Sequence, residues 1–197
     1  MTNFNIILFD DFETLDAFGP AEVIGRLQET YYLRCHSLNG GIIKSRQHIP
    51  VDTLPFAEID STGVLLIPGG IGTRTLANDE NYIEQLRILS EKAPYVLTVC
   101  TGSALLAKTN LLNGMNATSN KRAFEWVCST GAKVYWAKKA RWVKDGKFYT
   151  SSGISAGIDM ALGFVSDMHG VENAQNIANQ MEYIWNPDME NDPFAIL

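Results

Sequence analysis

Residues 95–108, Tyr-Val-Leu-Thr-Val-Cys-Thr-Gly-Ser-Ala-Leu-Leu-Ala-Lys, change character within two positions. Up to Val99 the run is apolar and β-branched, the pattern of a strand covered on both faces. From Thr101 the residues are small, and Leu105 and Leu106 then begin a helical stripe. A strand therefore hands over to a helix at Cys100. In open α/β sheets ligands bind outside the carboxyl ends of the strands, where Cys100 falls. The start of the following helix carries partial positive charge, which favours thiolate over thiol. The expectation is a reactive thiolate at a cysteine counterpart of the serine nucleophile elbow. Gly102, Ser103 and Ala104 permit the tight turn. Most free cysteines are small buried hydrophobes instead, and Cys35 and Cys128 are read that way.

The same alternation extends outward from this segment. Asn5–Phe9 reads as a buried strand and Asp10–Leu15 as a loop. A helix with Pro20 near its start follows. Tyr31–Leu38 is a second strand, Asn39-Gly40-Gly41 a turn, and Ile42–Val51 an accessory hairpin. Val64–Ile67 is a continuous apolar strand ending at Pro68-Gly69-Gly70. Tyr82–Lys92 is helical, and so is Arg122–Ser129. Asp145-Gly146 turns a hairpin between 140–143 and 148–151. Helices over 155–169 and 172–181 complete the pattern. Strands alternating with helices predict βαβ units, hence one doubly wound, mostly parallel sheet with helices on both faces. That single domain spans residues 1–197, with about 186–197 as a C-terminal tail.

The chain has 197 residues and a net charge of −6, with 46% apolar residues. An acidic balance without a basic face predicts no nucleic-acid binding. No basic helical segment follows Met181, so a DNA-binding module is not expected there. The N-terminus has no basic, apolar leader, and no apolar run is long enough for a bilayer; a cytoplasmic protein is expected. Three widely spaced cysteines suit neither a disulfide framework nor a structural zinc site. Neither a metal nor another cofactor is expected.

Two further segments bear on Cys100. Pro68-Gly69-Gly70-Ile71-Gly72 could offer backbone N–H groups that, with that of Thr101, form an oxyanion hole. Asp16, in Leu15-Asp16-Ala17-Phe18-Gly19-Pro20, is either a helix N-cap or an acid–base group facing the sulfur.

Taken in order, FDDFETLDAFGPAEV, LLIPGG, VLTVCTGSALLAKTNLLNG and GISAGIDMAL resemble the ThiJ/PfpI superfamily, within the class I glutamine-amidotransferase-like fold. The combination is most similar to isonitrile hydratases, and it also resembles the ligand-side domain of AraC-type regulators. The resemblance implies a flavodoxin-like sandwich and a homodimer acting on a small molecule. It implies Cys100 as nucleophile, Asp16 as its acidic partner and Thr101 as an assisting residue. Gly70 and Thr101 would supply the backbone donors, and Gly69, Ile71, Asn120 and Ile154 the pocket wall. The implied reaction is a hydration at a carbon–nitrogen centre that yields an N-formamide.

The sequence departs from that pattern at one place. Many relatives carry Thr-Thr-His-Trp where this chain has Thr118-Ser119-Asn120-Lys121. Asn cannot act as a general base, so a Cys–His dyad has no histidine there. His36, His48 and His169 lie outside the motifs and are read as structural or surface residues. Two other chemistries use the same thiol: glyoxalase or deglycase action on α-oxoaldehydes, and oxidation of a sensor cysteine.

Overall fold

The apolar runs form the central strands. The computed structural model describes residues 1–195. Its elements are β1 Thr2–Ile7, α1 Thr14–Gly25, β2 Tyr31–Ser37, β3 Asn39–Lys44, β4 Pro50–Pro55, β5 Val64–Ile67, α2 Thr73–Leu76, α3 Glu80–Lys92, β6 Val96–Val99, α4 Gly102–Lys108, β7 Asn116–Ala117, α5 Phe124–Thr130, β8 Tyr135–Trp136, β9 Trp142–Asp145, β10 Phe148–Ser151, α6 Ala156–His169 and α7 Val171–Gln180.

Eight strands form one sheet in the order β3-β4-β2-β1-β5-β6-β10-β9. The six inner strands are parallel to one another, and only the edge strands β3 and β9 run antiparallel to their neighbours. One group of helices, α1, α6 and α7, packs together; α2, α3, α4 and α5 form the other. The fold is therefore the flavodoxin-like doubly wound α/β sandwich. Every residue of β5 and β6 is buried, as their unbroken apolar runs require. Complete burial of Leu65, Leu66 and Ile67 stabilises the fold by roughly 1.5–3 kcal/mol each. Among the described residues, no helix is long and apolar enough to cross a membrane.

After β1 the chain moves to one side of the sheet through β2, and later crosses to the other side through β5 and β6. The loops after these strands consequently open a crevice at the carboxyl ends of β1, β5 and β6. The accessory hairpin β3–β4 folds its tip onto the first of them. Arg46 N–H donates to Phe12 O at 2.8 Å, and Thr14 Oγ1 donates to Gln47 Oε1 at 2.6 Å.

Two expectations are corrected. Pro20 sits inside α1 rather than near its start, because the helix already begins at Thr14. Proline has no N–H, so the Asp16 carbonyl loses its regular i+4 donor. Contact with α6 holds this irregular helix in place. A Cβ on Gly19 would lie 2.9 Å from Ile158 Cγ1, and one on Gly157 would lie 2.9 Å from Val99 and 3.4 Å from Pro20. Only glycine lets α1, α6 and the end of β6 approach so closely.

The C-terminal tail is the second correction: over residues 186–195 it does not trail from the domain, while 196–197 lie outside the described residues. Arg141 and Trp142 N–H both donate to Met189 O, and Asp192 N–H donates to Lys139 O at 2.7 Å. Asp192 is buried beside Arg141 and Lys121, and that ionic anchor holds the segment down.

Candidate active site

Cys100 is the first of the two residues, Cys100 and Thr101, that join β6 to α4, and its φ is 56°. A left-handed conformation at a non-glycine residue costs about 1–3 kcal/mol and has to be enforced by its surroundings. The enforcement is visible. Cys100 N–H points to Ser151 O and Ser152 O, each at 3.2 Å. Its carbonyl accepts from Ser103 Oγ at 3.0 Å and from Ser119 Oγ at 2.7 Å. Ile154 across the cavity has φ of 35°, a second strained position and one where a β-branched side chain is rare.

Asp16 comes from the first turn of α1 and is completely buried. Its Oδ2 accepts from Gly69 N–H at 3.0 Å, while Oδ1 is buried without a nitrogen or oxygen donor. Asp16 is not a helix cap: the N-cap is Glu13, and the Asp16 side chain turns inward. A Cβ on Gly69 would meet Thr101 N at 2.6 Å and Asp16 Oδ2 at 2.8 Å. Glycine at 69 thus allows the carboxyl, the Gly69 amide and Thr101 to close around the sulfur.

Burial pushes the Asp16 carboxyl up from 3.8 to about 8; the Gly69 hydrogen bond opposes this, and the Glu13 charge adds to it. Burial also holds the Cys100 thiol well above its ordinary range, and the Asp16 charge reinforces that, against hydrogen bonds from Thr101. Cys100 is only 7% exposed. The expectation of a resting thiolate is therefore corrected. Desolvation outweighs the field at the start of α4, which is only seven residues long. At neutral pH the pair consists of a carboxylic acid facing a thiol, and its protons leave as a coupled system.

Thr101 is threaded into a further network. Gly70 N–H donates to Thr101 Oγ1 at 3.1 Å, and Thr73 Oγ1 donates to Gly70 O at 2.7 Å. The Gly70 amide is thereby engaged by a hydroxyl rather than open to the cavity, whereas the Thr101 amide points at the sulfur. A cavity of about 370 Å³ opens over Cys100, and Ile71, Asn120 and Ile154 line it together with Gly70 and Thr101.

A DJ-1/PfpI family profile matches residues 4–167 of the chain. The protein belongs to the DJ-1/PfpI family. It is 31% identical to an isonitrile hydratase of Pseudomonas putida, over 94% of this chain and 80% of that protein. It is 25% identical to the transcriptional regulator GbdR of Pseudomonas aeruginosa over 90% of this chain, but spans only 49% of that regulator. Among solved structures, a ThiJ/PfpI family protein from Pseudomonas syringae superposes with a TM-score of 0.85 at 24% identity, covering 94% of this chain and 76% of that one. Drosophila melanogaster DJ-1beta superposes with a TM-score of 0.80 at 21% identity, covering 93% and 99% respectively.

In this DJ-1/PfpI chain the residues singled out from sequence converge, each in a distinct place. Cys100, Thr101, Gly70, Ile71, Asn120 and Ile154 face the cavity; Asp16 and Gly69 lie behind the sulfur. Asn120 Oδ1 accepts from Ala123 N–H at 3.0 Å at the entry to α5. Among the described residues, no histidine lines this cavity. Lys121 turns away from it. Its Nζ is buried against Thr118 Oγ1 and Ala140 O, and burial pushes it down to about 8. Sequence reasoning missed Arg46, Arg74, Arg122 and Glu13, which also line the cavity. They come from four separate loops and short elements, so no local motif links them.

Proposed function

We propose that the protein is a cysteine-dependent hydratase of small-molecule isonitriles, with Cys100 as nucleophile and Asp16 as proton carrier. One observation carries this reading: a fully buried carboxyl without a cationic partner faces the nucleophilic sulfur, and no histidine serves the cavity. An isonitrile carbon must gain both a nucleophile and a proton. A neutral acid beside a thiol can supply both, whereas a thiolate alone supplies only one. The similarity to the Pseudomonas putida isonitrile hydratase supports the same chemistry.

Sγ bonds to the terminal carbon of R–N≡C while the Asp16 proton passes to that carbon. The thiol proton returns to Asp16, leaving a thioimidate, R–N=CH–S–Cys100. Water adds its oxygen to the same carbon and one proton reaches nitrogen. The C–S bond then breaks, the remaining hydroxyl proton passes to sulfur, and R–NH–CHO leaves. Dividing the hydration across a covalent intermediate replaces one difficult step with two easier ones. Thr101 N–H would hold the developing sulfur charge in each half.

The raised thiol weighs against the sensor alternative, since oxidation-sensing cysteines are accessible and of low pKa. The test is turnover of a simple aryl isonitrile to its formamide by the purified protein and by Cys100→Ala. Formamide production that disappears in Cys100→Ala is the expected result; equal production by both would refute the mechanism. The working unit proposed is a homodimer, for which light scattering should return twice the chain mass.

A further inference from the structure

Seven arginines occur in a chain of net charge −6, and three of them, Arg46, Arg74 and Arg122, line the Cys100 cavity. They arrive independently. Arg46 is brought by the tip of the β3–β4 hairpin, Arg74 by α2 after the Pro68-Gly69-Gly70 loop, and Arg122 by the turn before α5. Of the other four arginines, Arg26, Arg87 and Arg141 each pair with a carboxylate. None of the cavity arginines has such a partner among the described residues.

Arg74 is the informative member. Its guanidinium lies on the Trp126 ring, 3.4 Å from the centroid, which fixes its plane. Its Nη1 is buried with no hydrogen-bond acceptor. Burial lowers its basicity, and it lines the same cavity as the Cys100 sulfur. A buried guanidinium nitrogen left without an acceptor is costly, and a bound oxyanion would relieve that cost. Among the described residues, the one opposing charge lining the cavity is Glu13, whose Oε1 accepts from Gln47 Nε2 at 2.6 Å. With Asp16 and Cys100 both neutral, the cavity is left with an excess of positive charge.

We propose that Arg46, Arg74 and Arg122 form a clamp for a carboxylate on the substrate, so that Cys100 acts on small anionic electrophiles rather than neutral ones. The proposal rests on the isonitrile reading only for the identity of the electrophilic carbon. A cavity of about 370 Å³ holds a small carboxylated molecule with its reactive end at the sulfur.

Two reagents of matched size test the clamp without reference to isonitriles. Iodoacetate and iodoacetamide alkylate the same sulfur: the Sγ–C bond forms, the C–I bond breaks, iodide leaves and the thiol proton goes to solvent. Their ratio of rate constants cancels the thiolate fraction. It would be measured at pH 7, where Asp16 keeps its proton, by following the Cys100 peptide in a digest, and compared with the ratio for 2-mercaptoethanol. The ratio at Cys100 should exceed the free-thiol ratio about tenfold, fall several-fold in Arg122→Gln and Arg46→Gln, and shrink with added salt. Arg74→Gln should abolish the excess. Because it also loses the Trp126 stack, the two exposed-residue variants carry the test should it fail to fold. Lys139→Gln, outside the cavity, should leave the ratio unchanged.

A ratio at or below the free-thiol value, or one indifferent to all three arginine variants, overturns the clamp. A second arm compares isocyanoacetate with its neutral amide as substrates. Hydration of both with no lower KM for the carboxylate refutes the clamp and leaves the hydratase standing. Hydration of neither, with the iodoacetate preference intact, refutes the hydratase and leaves the clamp.

Discussion

Two regions of this protein bury carboxylates, and they do so in opposite ways. At the C-terminal segment Asp159 and Asp192 are buried against cations. Arg141 Nε donates to Asp159 Oδ2 at 2.7 Å, and Arg141 Nη1 stands 3.4 Å from Asp192 Oδ1. Tyr183 OH and Asn186 N–H also donate to Asp159 Oδ1, at 3.1 and 3.0 Å. Beyond the carboxyl end of β1, in the first turn of α1, Asp16 is equally buried, but among the described residues it has one backbone donor and no cation. The first arrangement holds charge in place and pins chain. The second holds a proton beside a sulfur. Burial is common to both; the partner decides whether the group is structural or chemical.

The comparison breaks most sharply at Asp16. Asp16→Asn keeps the shape and removes the transferable proton. Isonitrile hydration should fall about 100- to 10,000-fold, the usual contribution of a positioned acid–base group. Stability should move the other way. A carboxyl raised from 3.8 to about 8 contributes stability that is fully present below about pH 4 and lost as pH rises towards 8. Asn abolishes that dependence. Thermal melts at pH 5 and pH 8.5 should show the variant gaining on the wild type at the higher pH. A variant that loses stability at both, or keeps its activity, would place Asp16 among structural residues.

Arg141→Met probes the opposite case. Removing one member of a buried pair leaves an uncompensated charge and costs about 3–5 kcal/mol. In a chain of this size that lowers Tm by roughly 6–20 °C. The folded fraction should retain its rate within about twofold, because Arg141 lines no part of the Cys100 cavity. A large loss of kcat with little loss of stability would erase the distinction between the two regions.

What the sequence shows of this arrangement follows its physical range. The apolar runs at Val64–Ile67 and Tyr95–Val99 announce buried strands because burial on both faces leaves no polar alternation. Gly19 and Gly157, in two of the motifs, mark the place where α1, α6 and β6 nearly touch. Cys100 is legible as a turn residue because its strand and helix adjoin it in sequence. The protonation of the site is not legible, since it depends on how completely α1 and the Gly69 loop desolvate Asp16. Local reasoning about the start of α4 accordingly gives the wrong resting state for the thiol. The three cavity arginines escape notice for the same reason: residues 46, 74 and 122 meet only through tertiary structure. Asp159, within the last motif, shows its purpose only once Arg141 and the C-terminal segment are folded against it.

The smallest effect expected is at Ser119, and it tests how the strained turn is held. Ser119 Oγ and Ser103 Oγ both donate to the Cys100 carbonyl, at 2.7 and 3.0 Å. Ser119→Ala removes one of two donors, so the acceptor stays satisfied and the cost should be about 1 kcal/mol. Ser103→Ala should behave alike. The double variant leaves a buried carbonyl without either donor at a residue whose φ is 56°. Its cost should therefore exceed the sum of the single ones, with a coupling of at least about 0.5 kcal/mol in denaturant titrations. Strict additivity would mean that the Ser151 and Ser152 carbonyls alone enforce the geometry of Cys100, and that residue 119 belongs with the structural region rather than the chemical one.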